Sequence, residues 1–167
     1  MIKTEKLSPK KEEAASILVG QLFLNFGTIE YLSFLVVPTF GDSKDKNKVF
    51  LMTLAEKIKE IPRVALKSGL TDEKCKRLIE LFHEVDKLAW KRNTVAHGPY
   101  IPMKQDGDKL TGGFLDVRKS KGLVPGSLPL LTFNEISAIN IRLVEIFEEL
   151  LSIFNEFVPA PDGNRIS

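Results

Sequence analysis

Ile17-Leu18-Val19-Gly20-Gln21-Leu22-Phe23-Leu24-Asn25-Phe26-Gly27-Thr28-Ile29-Glu30-Tyr31-Leu32-Ser33-Phe34-Leu35-Val36-Val37 is a run of 21 residues with one formal charge. Its length and apolarity suit a membrane span. Its polar residues argue otherwise: Gln21, Asn25, Thr28, Glu30 and Ser33 are spread along it, and an acidic side chain deep in a bilayer costs about 2.5–3.5 kcal/mol on insertion scales. The other helical stretches carry apolar stripes of their own, and each stripe needs a partner. The run therefore reads as the central helix of a soluble, cytoplasmic, all-α domain. Leu18, Leu22, Ile29, Leu32 and Val36 form one stripe, and Phe23, Phe26, Phe34 and Val37 form another. A helix apolar on nearly all sides is expected inside a bundle or between two subunits.

Working outward, this first helix spans about 8–37 and stops at Pro38 and Gly41. A second spans about 46–67, with Phe50, Leu54, Ile58 and Ile61 at helical spacing and Pro62 as a kink or early end. A third spans about 72–97. Thr71 is its N-cap, Leu78, Leu81, Phe82, Val85, Leu88 and Ala89 are its core stripe, and Gly98-Pro99 is its stop. From Tyr100 to Leu131 the helical period is lost. Asp106-Gly107 predicts a tight turn in a weak, edge-type hairpin, followed by loop. The fourth helix, about 133–157, has the plainest start: Thr132 and Glu135 make a capping box, with Leu131 and Ile136 as the hydrophobic staple. The expected architecture is a four-helix up-and-down-type bundle, one domain over 1–167, with a hairpin excursion between the third and fourth helices.

Composition agrees. The 167 residues are 43% apolar and 28% charged, with a net charge of +2, which suits one domain with a sizeable core. A nucleic-acid site would have to be a local patch rather than a global field. Cys75 is the single cysteine, which excludes an internal disulfide and fits a reducing compartment. The mixed-charge start of the chain does not read as a signal peptide. Walker-type glycine loops, dinucleotide fingerprints and nucleophile-elbow serines are missing from the sequence. With His83 and His97 about 21 Å apart along one helix, no metal cluster of usual spacing arises either.

The chemistry concentrates at the end of the third helix. The stripe Leu78, Val85 continues to Arg92, so a guanidinium occupies a core-facing position. It cannot lose its proton, and it cannot be buried cheaply without an acidic or phosphate partner. Glu30, the odd charge in the apolar first helix, is the expected partner in the unliganded protein. Asn93 and His97 share a helix face. Arg92 and His97 are five apart, about 140° around an ideal helix. They converge only if the last turn loosens at Gly98-Pro99, or if a second chain supplies the other half. His97 lies at the negative end of the helix dipole, which favours the charged ring. An imidazole beside a permanent cation is what phosphate chemistry without a metal requires.

Arg92-Asn93-Thr94-Val95-Ala96-His97, arginine and histidine with four residues between and a polar residue after the arginine, resembles the motif of the HEPN superfamily (higher eukaryotes and prokaryotes nucleotide-binding domains). Gly98-Pro99-Tyr100 resembles members in which the motif reads through alanine-histidine-glycine. The likeness in helix order covers roughly 12–157. The resemblance implies four-helix bundles that dimerise, bringing the arginine and histidine of both chains into one cleft. It implies a metal-independent endoribonuclease without cofactor, active as a homodimer on RNA, in toxin–antitoxin, defence or stress settings with a cognate antitoxin or regulator. On this chain Arg92 would stabilise the charge building on the phosphate, His97 would act as general acid or base, and Asn93 would orient either. Some toxin members place a tyrosine two residues after the histidine; here Tyr100 comes one later. Glu30 and Tyr100 are supporting residues, and Lys104, Arg118 and Lys119 an RNA-guiding rim.

Bland readings stand beside these. Arg92 would be a structural ion pair and His97 a surface residue near a helix end. Trp90 would pack at a dimer interface. Lys57, Lys59 and Arg63 would be the wet side of the second helix, His83 a surface residue and Cys75 inert. The alternative function is a non-catalytic dimeric module that binds RNA, a nucleotide or a protein. A third reading is a structural domain with no ligand.

Overall fold

The last helix begins where its capping box places it. Thr132 N–H and Oγ1 both donate to Glu135 Oε2, at 2.8 Å each, and Glu135 N–H donates back to Thr132 Oγ1 at 3.3 Å. Leu131 and Ile136, the expected staple residues, are both buried. These bonds satisfy donors that every helix N-terminus leaves open.

The computed structural model describes residues 8–41, 48–102, 112–116 and 130–156. Among these the protein is mostly helical, with a small antiparallel sheet between its third and fourth helices. The order is α1 (Pro9–Phe40), a 3-10 turn (Val49–Leu51), α2 (Leu54–Ala65), α3 (Asp72–His97), β1 (Tyr100–Pro102), β2 (Gly112–Leu115), β3 (Leu130–Thr132) and α4 (Phe133–Asn155).

The chain divides into two compact units. The first takes Met1–Asn25 and Leu88–Arg142. Leu22, Val95, Leu131, Phe133, Ile136 and Ile139 form its described core. Asn140, buried in it, donates to the Leu18 carbonyl at 3.0 Å and accepts from Asn25 Nδ2 at 3.2 Å. A buried amide satisfied in this way fixes the register of two helices. The second unit takes Phe26–Lys87 and Leu143–Ser167. Its core is larger and includes Ile29, Val37, Ile61, Leu78, Leu81, Phe82, Val85, Leu143 and Ile146. Arg77 bridges α3 to Glu149 of α4 at 2.8 Å through Nε, and this carboxylate holds the guanidinium's pKa above its usual value.

The sheet runs β1-β2-β3, all antiparallel, with Tyr100 opposite Phe114 and Phe114 opposite Leu131. The expected hairpin pairing is present, but the ribbon is not an edge. β2 is the central strand, and Leu130–Thr132, of which Leu130 and Leu131 were expected in the irregular section and Thr132 as the helix cap, is its second partner. Gly113 explains how: a Cβ there would collide with the Leu131 carbonyl, so only glycine lets β3 approach. The Asp106-Gly107 turn lies outside the described residues.

Other expectations need correcting. α1 does not stop at Val37; it runs through Pro38 to Phe40, and Gly41 N–H still bonds the Val37 carbonyl at 2.8 Å. The bond that a proline lacks falls here in the last turn of a long helix, where its loss removes little. Nor is α1 enclosed on all sides. Leu22, Phe26, Ile29, Leu32 and Val36 are buried, whereas Leu24 and Tyr31 are 72% and 60% exposed. By length and composition α1 also suffices to cross a membrane.

The second helix is broken. Met52 is extended, and Thr53 caps α2 with its own box to Glu56, because a threonine with glutamate three residues on competes for the helix start wherever it occurs. Phe50 consequently leaves the core stripe and is exposed, its ring edge against Phe34. Lys57, expected on the wet side, is buried, with Nζ 3.7 Å from Glu30 and over the Phe34 ring. Glu30 thus has an ion partner in Lys57, a pairing that its sequence context did not suggest. The reason is helical spacing: Lys57 lies three residues after Leu54 and four before Ile61, on the face those buried residues share, and its long stem is covered there.

The Thr132 bonds hold the Glu135 carboxylate below its ordinary pKa of 4.5, with Lys91 adding a smaller pull. A depressed folded-state pKa stabilises above the unfolded value and loses that contribution as pH falls through the folded one. Glu135→Gln should therefore cost stability at neutral pH, and the gap to wild type should close in acid below the ordinary carboxylate range. Thr132→Ala should cost about 1 kcal/mol. Urea unfolding across pH checks both.

Candidate functional site

The end of α3 is regular. Gly98 N–H bonds the Thr94 carbonyl at 2.7 Å, so the α-helical bond pattern continues past His97. Thr94, buried, donates its hydroxyl to the Trp90 carbonyl at 3.0 Å. The expected loosening at Gly98-Pro99 does not occur. Its place is taken by a clamp: Leu115 N–H of β2 donates to the Pro99 carbonyl at 3.1 Å, and the Leu115 carbonyl lies so close to Gly98 that a Cβ would overlap it. Gly98 is thus required for close approach, in addition to ending the helix.

A regular last turn fixes where the candidate residues point. Arg92 is half-buried and His97 exposed, as expected of residues about 140° apart on one helix. Asn93 is half-buried. The Arg92 Nε is enclosed, and the residue has an interaction partner. Arg92 is thus partly enclosed, and His97 lies on the exposed side of the helix. Trp90 is half-buried with Lys91 Nζ over its ring, and His83 is exposed. Cys75, buried, directs its thiol to the Ala65 carbonyl at 3.1 Å.

Tyr100, three residues beyond His97, opens β1. Its ring packs against Phe114 and Phe133 at centroid distances of 5.8 and 5.9 Å. Burial raises the pKa of its hydroxyl. Tyr100 belongs to the same unit as Arg92, Asn93 and His97, whereas Glu30 belongs to the other. Lys104, Arg118 and Lys119 lie outside the described residues. Sequence reasoning missed Asp116, a buried carboxylate directly after the clamping strand. The available signal was a lone acid closing the apolar Phe114-Leu115 step. It also missed the cavity that Tyr100, Phe114 and Phe133 share with Glu12, Ala15, Ser16 and Val19 of α1.

The chain matches no family model, no curated protein and no solved structure.

Gly98→Ala tests the clamp. Inserting a methyl against two backbone carbonyls should cost about 1–3 kcal/mol, lowering the melting temperature by several degrees. Exchange of the Leu115 amide hydrogen should rise more than that of amides in α2.

Proposed function

We propose that this protein is a metal-independent endoribonuclease of HEPN type, acting in the cytoplasm as a homodimer with a four-helix HEPN-like bundle in each chain. The observation that carries the reading is the regular last turn of α3. It holds a half-buried guanidinium and an exposed imidazole about 140° apart around the helix and about 7.5 Å apart along its axis, with no local unwinding to bring them together. A reaction centre using both is then completed by a second copy, Arg92 of one chain facing His97 of the other. Leu24 and Ile141, both exposed, flank the Asn25–Asn140 bond that joins α1 to α4. An apolar surface of this kind is what a symmetric partner would cover.

In the proposed reaction the RNA 2′-hydroxyl attacks the adjacent phosphorus and the 5′-oxygen departs. His97 takes the 2′ proton or returns one to the leaving oxygen. Arg92 donates hydrogen bonds to the non-bridging oxygens as negative charge accumulates. Asn93 orients the phosphate or the ring. The products are a 2′,3′-cyclic phosphate and a 5′-hydroxyl. Tyr100 serves the site by framing the cavity beside it, and Lys104, Arg118 and Lys119 by guiding RNA. A toxin or defence role would add an antitoxin or regulator as partner.

The test is cleavage of structured and single-stranded RNA by purified protein in EDTA. Arg92→Ala and His97→Ala should each lower the rate by about 100-fold or more, with the sedimenting dimer intact. Unchanged cleavage in both variants, or a monomer at every concentration, overturns the proposal. Binding without turnover that survives His97→Ala would instead identify a non-catalytic RNA-, nucleotide- or protein-binding module.

A further inference from the structure

The cavity between α1 and the sheet has a chemistry of its own. Its volume is about 440 Å³, and it is open at the surface. One wall is the aromatic triangle: Tyr100–Phe114 at 5.8 Å, Tyr100–Phe133 at 5.9 Å and Phe114–Phe133 at 6.2 Å. The opposite wall is α1, with Ala15 and Val19 as the aliphatic part and Glu12 and Ser16 as the polar part. All these residues belong to the first unit. The wall is also shaped by Gly112, where a Cβ would stand 2.6 Å from the Tyr100 hydroxyl, so the glycine makes room for that ring.

The polar groups on α1 offer acceptors. Ser16 spends its proton on the Glu12 carbonyl at 2.8 Å, leaving its lone pairs outward. Among the described residues the Glu12 carboxylate has no ion pair or hydrogen bond, and an ionised carboxylate only accepts. Aromatic faces ask for a flat or cationic body, and paired acceptors ask for neighbouring N–H donors. A quaternary ammonium has no N–H to give. A small primary ammonium leaves most of the volume empty. A guanine base satisfies every wall: it stacks on rings, and its N1–H and amino group present two adjacent donors to one carboxylate.

We propose that this cavity is a guanine-binding subsite, with Glu12 reading the Watson–Crick edge and Tyr100 and Phe114 supplying the stacking surface. Its role in cleavage rests on the ribonuclease reading above. Tyr100 is three residues from His97, at most about 11 Å between Cα atoms, which places the base next to the scissile phosphate. Cleavage is then biased to one side of guanines. Glu12 binds and positions; it takes no part in proton transfer.

Titration calorimetry of the full chain with GMP, AMP, CMP, UMP and choline separates the outcomes. GMP should bind at least tenfold more tightly than the other three nucleotides, and Glu12→Gln, at an exposed position, should remove that preference while leaving the circular dichroism unchanged. Ala15→Leu, which fills the cavity from the helix side, should weaken GMP by a similar factor. GMP binding should persist in His97→Ala, so that loss of cleavage and loss of the subsite are read independently. Equal binding of all four nucleotides, GMP affinity indifferent to Glu12→Gln, or choline competing with GMP in the same cavity overturns the proposal. RNA cleaved without regard to guanine contradicts the role in cleavage and leaves the ribonuclease reading standing.

Discussion

The approach of the Leu115 carbonyl to Gly98 governs how α3 ends. A methyl at that position would collide with two carbonyl oxygens, so the helix and the strand meet backbone to backbone. The Leu115–Pro99 hydrogen bond then ties β2 to the residue that follows the last turn of α3. With that turn held helical, the directions of Arg92 and His97 are no longer free. Arg92 is half-buried and His97 is exposed, and the joint chemistry proposed for them would draw on a second chain.

The same clamp builds the cavity. β1 must leave α3 immediately at Tyr100, and pairing with β2 sets Tyr100 opposite Phe114. β3 then delivers Phe133 to the third corner as the first residue of α4, directly after Thr132 has capped that helix. A short sheet thus does two jobs: it locks the helix end and gathers three rings. Buried Asn140, bonded to α1 at two points, keeps the Glu12–Val19 segment against this arrangement. The costs of these polar burials are offset because each partner is a specific hydrogen-bonding group.

Much of this was legible in the letters. Helical periodicity gave α3 its bounds and core, and Thr132 with Glu135 gave α4 its start, because capping and apolar spacing are local properties. Three things were not legible. The break before α2 was missed because the Phe50–Ile61 spacing looks continuous, although Thr53 and Glu56 repeat the signature seen at Thr132. The burial of Lys57 was missed because charge was read as solvent exposure, whereas a long side chain can bury its stem and meet Glu30. The central place of β2 was missed because paired glycines were read as weakness, when Gly113 is what allows β3 to approach. At the site, the half-burial of Arg92 agrees with its place on the stripe. The Lys57–Glu30 pair was not legible, because partner choice is a tertiary property that no single helix encodes.

The central claim is that Arg92 and His97 act together only across two chains. Complementation tests it directly: mix Arg92→Ala protein with His97→Ala protein, allow the subunits to exchange, and measure RNA cleavage in EDTA. In a symmetric dimer each mixed pair rebuilds one of its two centres from the intact arginine of one chain and the intact histidine of the other. The account predicts that activity absent from either variant alone returns on mixing. A mixture that exchanges subunits and stays as inactive as its components would contradict it.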